Sequence, residues 1–136
     1  MIVGIGADCC DVERIAGAIE RRGDRFLARV FTDAERSSGA KRTESAAYFA
    51  RRFAAKEACS KALGSGITER VGWHDIEILN GPKGEPILRL TGGALRRAHR
   101  LVPKGQELVL HVSLADDPPI ALAFVILEAR PKVQEG

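Results

Sequence analysis

The chain has 136 residues and a mass of 14.7 kDa, enough for one hydrophobic core and short of the usual size for two domains. Hydrophobic residues at 45% and charged residues at 29% exclude a disordered chain, and the longest apolar run, residues 120–127, is far below the roughly 20 residues that span a bilayer. Three cysteines, two of them adjacent (Cys9, Cys10), and three isolated histidines form neither a disulfide framework nor zinc-ligand pairs, so the thiols read as reduced and the protein as cytoplasmic.

Residues 1–8 are a short apolar run with Ile2, Val3 and Ile5, ending in a carboxylate, which predicts a strand that delivers Asp8 to its tip. From residue 11 to 30, Val12, Ile15, Ile19, Phe26, Leu27 and Val30 recur at helical spacing, with Gly23 interrupting or bending the element. Thr32 resembles an N-cap with Glu35 at the capping-box position, opening a short helix that Gly39 closes. The longest helix is expected over residues 43–63, rich in alanine and stopped by Gly64, Ser65 and Gly66.

After Gly72 the pattern changes. Residues 75–80 and 86–90 alternate around Gly81, Pro82, Lys83 and Gly84, the pattern of a hairpin. Thr91 caps a further helix through Leu101, ended by Pro103 and Gly105. Two last strands, residues 108–114 and 120–128, are joined by Asp116, Asp117, Pro118 and Pro119, and residues 129–136 read as a frayed tail after a single domain over residues 1–128. This order predicts an α+β fold, a mainly antiparallel sheet packed against a long central helix.

Gly4-Ile5-Gly6 does not make a dinucleotide loop, because a third glycine is missing at Cys9 and the glycines lie inside the strand. Small residues there let another backbone or a ligand approach closely. On the long helix, Ala46, Phe49, Ala50, Phe53 and Ala54 share a face into which Glu57 projects. Two readings stand at this point: a structural ion pair with Lys61 one turn on, or one of two carboxylates, with Asp8 as the other, forming a hard-oxygen shell for magnesium. Arg51, Arg52, Lys56 and Lys61 give the helix several cations able to reach phosphates, whereas its C-terminal dipole alone repels them.

Arg14, Arg21, Arg22, Arg25 and Arg29 fall on one side of the residue 11–30 helix, opposite its apolar face. With a net charge of +3 and pI near 9.0, this stripe suits an acidic partner. A small basic nucleic-acid-binding module is the rival reading. It calls for aromatics among the basic residues, and aromatics make up only 5% of the chain.

Taken together, Ile2 to Asp8, the block Arg52-Phe53-Ala54-Ala55-Lys56-Glu57-Ala58 with Lys61-Ala62-Leu63-Gly64-Ser65-Gly66-Ile67, and His111-Val112-Ser113-Leu114 resemble the holo-acyl-carrier-protein synthase family of 4′-phosphopantetheinyl transferases. The resemblance spans nearly the whole chain and implies an α+β homotrimer with sites between subunits, coenzyme A as donor and apo-acyl carrier protein as acceptor in fatty acid biosynthesis. With few aromatics and no long apolar run, neither nucleic acid nor a membrane is expected as a partner. The resemblance implies Asp8 and Glu57 as magnesium ligands, these two and Lys61 as the catalytic group, and Lys61 as the phosphate contact. Arg52, Gly64 and Gly66 match coenzyme-lining positions, and Lys56 and Ser65 stand beside them in the expected coenzyme-binding set. Arg14, Arg21, Arg22 and Arg25 are the expected carrier-protein surface. The implied reaction is attack of the acceptor serine on the β-phosphorus of coenzyme A with release of 3′,5′-ADP, the proton going to Glu57 or to a metal-bound water. One departure stands out: Leu114-Ala115-Asp116-Asp117 occupies the stretch where many members carry Ser-His or Thr-His, so no histidine contact to the coenzyme carries over.

Overall fold

The computed structural model describes residues 1–133. Its elements in chain order are β1 (Ile2–Asp11), α1 (Val12–Arg22), α2 (Asp24–Val30), α3 (Asp33–Ala40), α4 (Ser45–Ala62), a single 3₁₀ turn (Trp73–Asp75), β2 (Ile76–Asn80), β3 (Pro86–Leu90), α5 (Gly92–Leu101), β4 (Gln106–Asp117) and β5 (Ile120–Pro131). The fold is α+β, as expected. One antiparallel sheet has the order β1-β5-β4, and β2 and β3 form a separate hairpin. Among the described residues no helix is long and apolar enough to cross a membrane.

Helix α4 is the centre of the molecule. Most of its residues are buried, including Phe49, Ala50, Phe53, Ala54, Ala58 and Ala62. It packs on β5, whose buried residues include Ala121, Ala123 and Val125, and small side chains on both layers permit a short helix-to-sheet distance. The closest approach is made by Gly4 and Gly6 of β1: a Cβ on Gly4 would overlap the Ala62 carbonyl oxygen, and one on Gly6 that of Ala58. The glycines therefore seat a backbone, the backbone of α4.

Several boundaries differ from the sequence expectation. The residue 11–30 helix is two helices, broken at Gly23, whose φ of 54° is open mainly to glycine. Thr32 caps α3 with a complete capping box to Glu35, yet Gly39 lies within α3, packed under the Phe49 ring, and Lys41 ends the helix. Thr91 stands at the N-cap of α5 without a side-chain capping bond. Asp116 and Asp117 belong to β4, so the turn is reduced to Pro118 and Pro119. Residues 129–131, assigned from sequence to a tail, are the last part of β5: Ala129 is buried and pairs with Leu108. Residues 134–136 of that tail lie outside the described residues.

Candidate active site

The seat of β1 on α4 sets the site. Gly4, Gly6 and Asp8 are on one face of the strand by its two-residue period. Two strand residues rise about 6.6 Å and four helix residues about 6 Å, so steps along the two backbones stay nearly matched. Gly4 meets the turn at Ala62 and Gly6 the turn at Ala58, and Asp8, two residues further along the strand, stands beside Glu57, the residue before Ala58. The Lys61 ammonium reaches back to the same point, 3.0 Å from Asp8 Oδ1 and donating also to the Ala7 carbonyl at 3.3 Å.

The charges in this cluster influence one another. Burial, together with the neighbouring Asp8 carboxylate, raises the Glu57 pKa above the usual carboxylate range, and Lys61 and Arg14 oppose that shift. The hydrogen bond to Asp8 raises the Lys61 pKa. Burial pushes the adjacent Cys10 thiol up to about 11, so it stands there as a neutral thiol. Of the two readings of Glu57, the structural pair with Lys61 does not form: Lys61 pairs with Asp8.

The expected coenzyme-binding residues divide into two groups. Lys61 is about half exposed and available to a ligand. Lys56 is not, which corrects its expected place in the site. Its ammonium is wholly buried, 2.8 Å from Glu35 Oε1, and donates to the carbonyls of Trp73 and Ile76. Glu35 in turn accepts from the Thr32 and Ile78 amides at 2.9 Å, so this network closes on itself as part of the core. Arg52 is also buried, donating to Asn80 Oδ1 at 2.6 Å with its guanidinium 3.9 Å over the Tyr48 ring; its Nε has no partner among the described residues. Gly64 and Ser65 line an open cavity beyond the end of α4, and Gly64 (φ 75°) and Gly66 (φ 68°) turn the chain away.

The arginine stripe survives the break at Gly23. Arg14, Arg21, Arg22, Arg25 and Arg29 line one groove of about 710 Å³ whose floor carries Phe26, Phe53 and Trp73, the last two stacked at 5.2 Å. Among the described residues no acidic side chain lines it. Arg14 stands where groove and carboxylate cluster meet, over Phe53 and close enough to Glu57 to oppose the rise of its pKa. Sequence reasoning missed one polar link near the site, Arg51 to Asp116 at 3.3 Å. Its only signal in the sequence is the pair of acidic residues at 116–117, which has the composition of a turn.

Comparison with known proteins shows the family. Residues 4–123 match the model of the 4′-phosphopantetheinyl transferase superfamily, and the chain belongs to that family. It is 58% identical over 131 residues to the holo-[acyl-carrier-protein] synthase of Methylobacterium radiotolerans, covering 96% of each chain. Among solved structures it resembles the holo-[acyl-carrier-protein] synthase of Neisseria meningitidis with a TM-score of 0.82 at 31% identity, covering 94% of this chain and 99% of that one. The Bacillus anthracis enzyme in complex with CoA (3′,5′-ADP) gives a TM-score of 0.77 at 36% identity, covering 96% and 99%.

Proposed function

We propose that this protein transfers the 4′-phosphopantetheine arm of coenzyme A to a serine hydroxyl of an apo-acyl carrier protein, releasing 3′,5′-ADP, in the service of fatty acid biosynthesis. The observation that carries the reading is the meeting of Asp8, Glu57 and Lys61 at the edge of the β1–α4 seat, beside a basic groove with an aromatic floor. Similarity to a synthase solved with coenzyme A supports the donor.

Asp8 and Glu57 fit a magnesium ion. They are hard oxygen donors held side by side, with the Lys61 ammonium on Asp8, and two carboxylates suit an ion that keeps several waters and takes its other ligands from phosphate. Bound there, magnesium would neutralise pyrophosphate charge. The chain's own residues do the rest. Lys61 leaves Asp8 to place its ammonium against the leaving phosphate, a stabilisation that grows as charge develops. Glu57, whose raised pKa brings it nearer the working pH, is placed to hold the serine proton. Because little covalent chemistry falls to the protein, positioning the two substrates is its main task. The groove holds the acceptor: arginines attract an acidic helix, and Phe26, Phe53 and Trp73 receive an apolar side chain.

The chain acts as a homotrimer in this proposal. The sheet face turned away from α4 exposes Ile5 of β1 and Phe124 of β5, with Cys9 and the His111–Glu128–Arg130 cluster on the same side. Such a half-apolar sheet face suits a neighbouring subunit. Three free thiols suit the reducing cytoplasm. The test is direct: incubation with apo-acyl carrier protein, coenzyme A and magnesium yields carrier protein bearing phosphopantetheine, read by mass spectrometry, and omission of magnesium stops it. No mass gain on a carrier protein that a known synthase modifies would overturn the proposal.

A further inference from the structure

A second cavity, of about 620 Å³, opens on the far side of the loop that follows Lys61. Its walls are Gly64 and Ser65 from that loop, Arg70 from the segment before β2, and Arg96, Arg97 and Arg100 from α5. None of these four arginines pairs with a carboxylate among the described residues. Arg97 donates through Nε to the Leu63 carbonyl at 2.8 Å, which fixes its guanidinium beside Gly64. Arg96 and Arg100 are one turn apart on α5, a repulsive spacing for like charges. The rim also holds Glu69 and Asp75, leaving an excess of two positive charges. Asp75 is already committed: it accepts from the Gly72 amide at 3.2 Å and lies against Gly92, at the start of α5.

The two basic cavities differ in what they can hold. The groove along α1 and α2 is lined by three aromatic side chains, whereas among the described residues the one large apolar side chain lining this cavity is Val71. Its size is that of a small-molecule site. Unpaired guanidinium groups with free donors match the oxygens of phosphate and carboxylate alike, and a cluster of four favours phosphate, which carries the larger charge and more acceptor oxygens.

We propose that Arg70, Arg96, Arg97 and Arg100 bind a small phosphate-bearing ligand. The site can be detected apart from the transfer reaction, with pyrophosphate alone as the probe. Inorganic pyrophosphate, titrated calorimetrically without magnesium, binds the wild-type protein saturably. Affinity falls tenfold or more in Arg96→Gln with Arg100→Gln, and holds in Arg21→Gln with Arg25→Gln, which strips charge from the other groove. Should the α5 variant fail to fold, Arg70→Gln on the opposite wall takes its place in the same comparison. No binding to the wild type, equal affinity in wild type and α5 variant, or loss confined to the Arg21 and Arg25 variant overturns the proposal. Coenzyme A titrated into the same proteins names the source of the phosphate. A parallel loss identifies the coenzyme's own phosphates, and undiminished coenzyme binding beside lost pyrophosphate binding identifies a separate phosphate compound; either result upholds the site.

Discussion

Lys56 and Lys61 stand five residues apart on α4, and each closes an ion pair with a carboxylate from another element. Lys56 is wholly buried against Glu35, with two backbone carbonyls completing its shell, and burial lowers its pKa against the pull of that glutamate. Lys61 is half exposed against Asp8, and its partner raises its pKa. The difference lies in what water can replace. A buried ammonium has no substitute for its three acceptors, so the pair is fixed and structural. An exposed one exchanges its carboxylate for water or phosphate at little cost, so the pair is a resting position from which chemistry starts.

The sharpest way to break this contrast is to remove each ammonium in turn. Lys56→Met leaves Glu35 charged in the core and is expected to lower the unfolding free energy by about 3–5 kcal/mol, read by urea denaturation. A loss too small to measure would make Lys56 no more structural than Lys61. Lys61→Gln is expected to leave the melting temperature unchanged while turnover falls by roughly 10²–10³-fold, the scale for losing one group that stabilises developing charge. Glu57→Gln should match it. If Lys61→Gln unfolded the protein instead, the two lysines would share one role.

A smaller effect tests the seat that brings the site together. Gly6→Ala pushes β1 from α4 at a cost of about 1–3 kcal/mol and lowers turnover by parting Asp8 from Glu57. Because the overlap is with the Ala58 carbonyl, adding Ala58→Gly does not rescue it, and recovery in that double variant would disprove the mechanism. Next comes the groove. Arg14 borders the carboxylates, so Arg21→Glu with Arg25→Glu is the cleaner probe: the Michaelis constant for carrier protein rises on the order of tenfold and that for coenzyme A stays constant. An equal Michaelis constant for carrier protein in the double variant and the wild type, at low salt, would leave the stripe as solvated surface.

The smallest effect is on thiol reactivity. Burial pushes Cys10 up to about 11 and Cys59 up to about 12, so alkylation near pH 8 labels Cys9 alone, as peptide mass spectrometry can verify. Labelling slows with rising protein concentration if subunits meet on that sheet face.

The sequence made much of this legible. Helical and two-residue periodicities located every strand and the helical segments, with α1 and α2 joined as one, the capping box at Thr32 and Glu35 formed as written, and the intrusion of Glu57 into an apolar face marked the site. What it hid were facts about partners. Nothing local distinguishes Lys56 from Lys61, because the burial of the first depends on Glu35, 21 positions earlier, and on carbonyls of the Trp73–Asp75 turn and β2. Gly39 resembled a helix stop and is a space for the Phe49 ring, contributed by another helix. Asp116, Asp117 and residues 129–131 looked like turn and tail because their strand character comes from pairing with each other's strand rather than from their own propensity.

The order β1-β5-β4 places the first strand against the last, with Asp8 opposite Ala123. A growing polypeptide can wind α4 as soon as its residues are made, but β1 has no ladder to join until residues 120–128 exist. Closing so long a loop is the slow, entropically costly kind of step in folding. The Asp8 side of the centre is therefore completed late, and a truncated product that ended before β5 would keep Glu57 and Lys61 on their helix with no strand to hold the second carboxylate beside them.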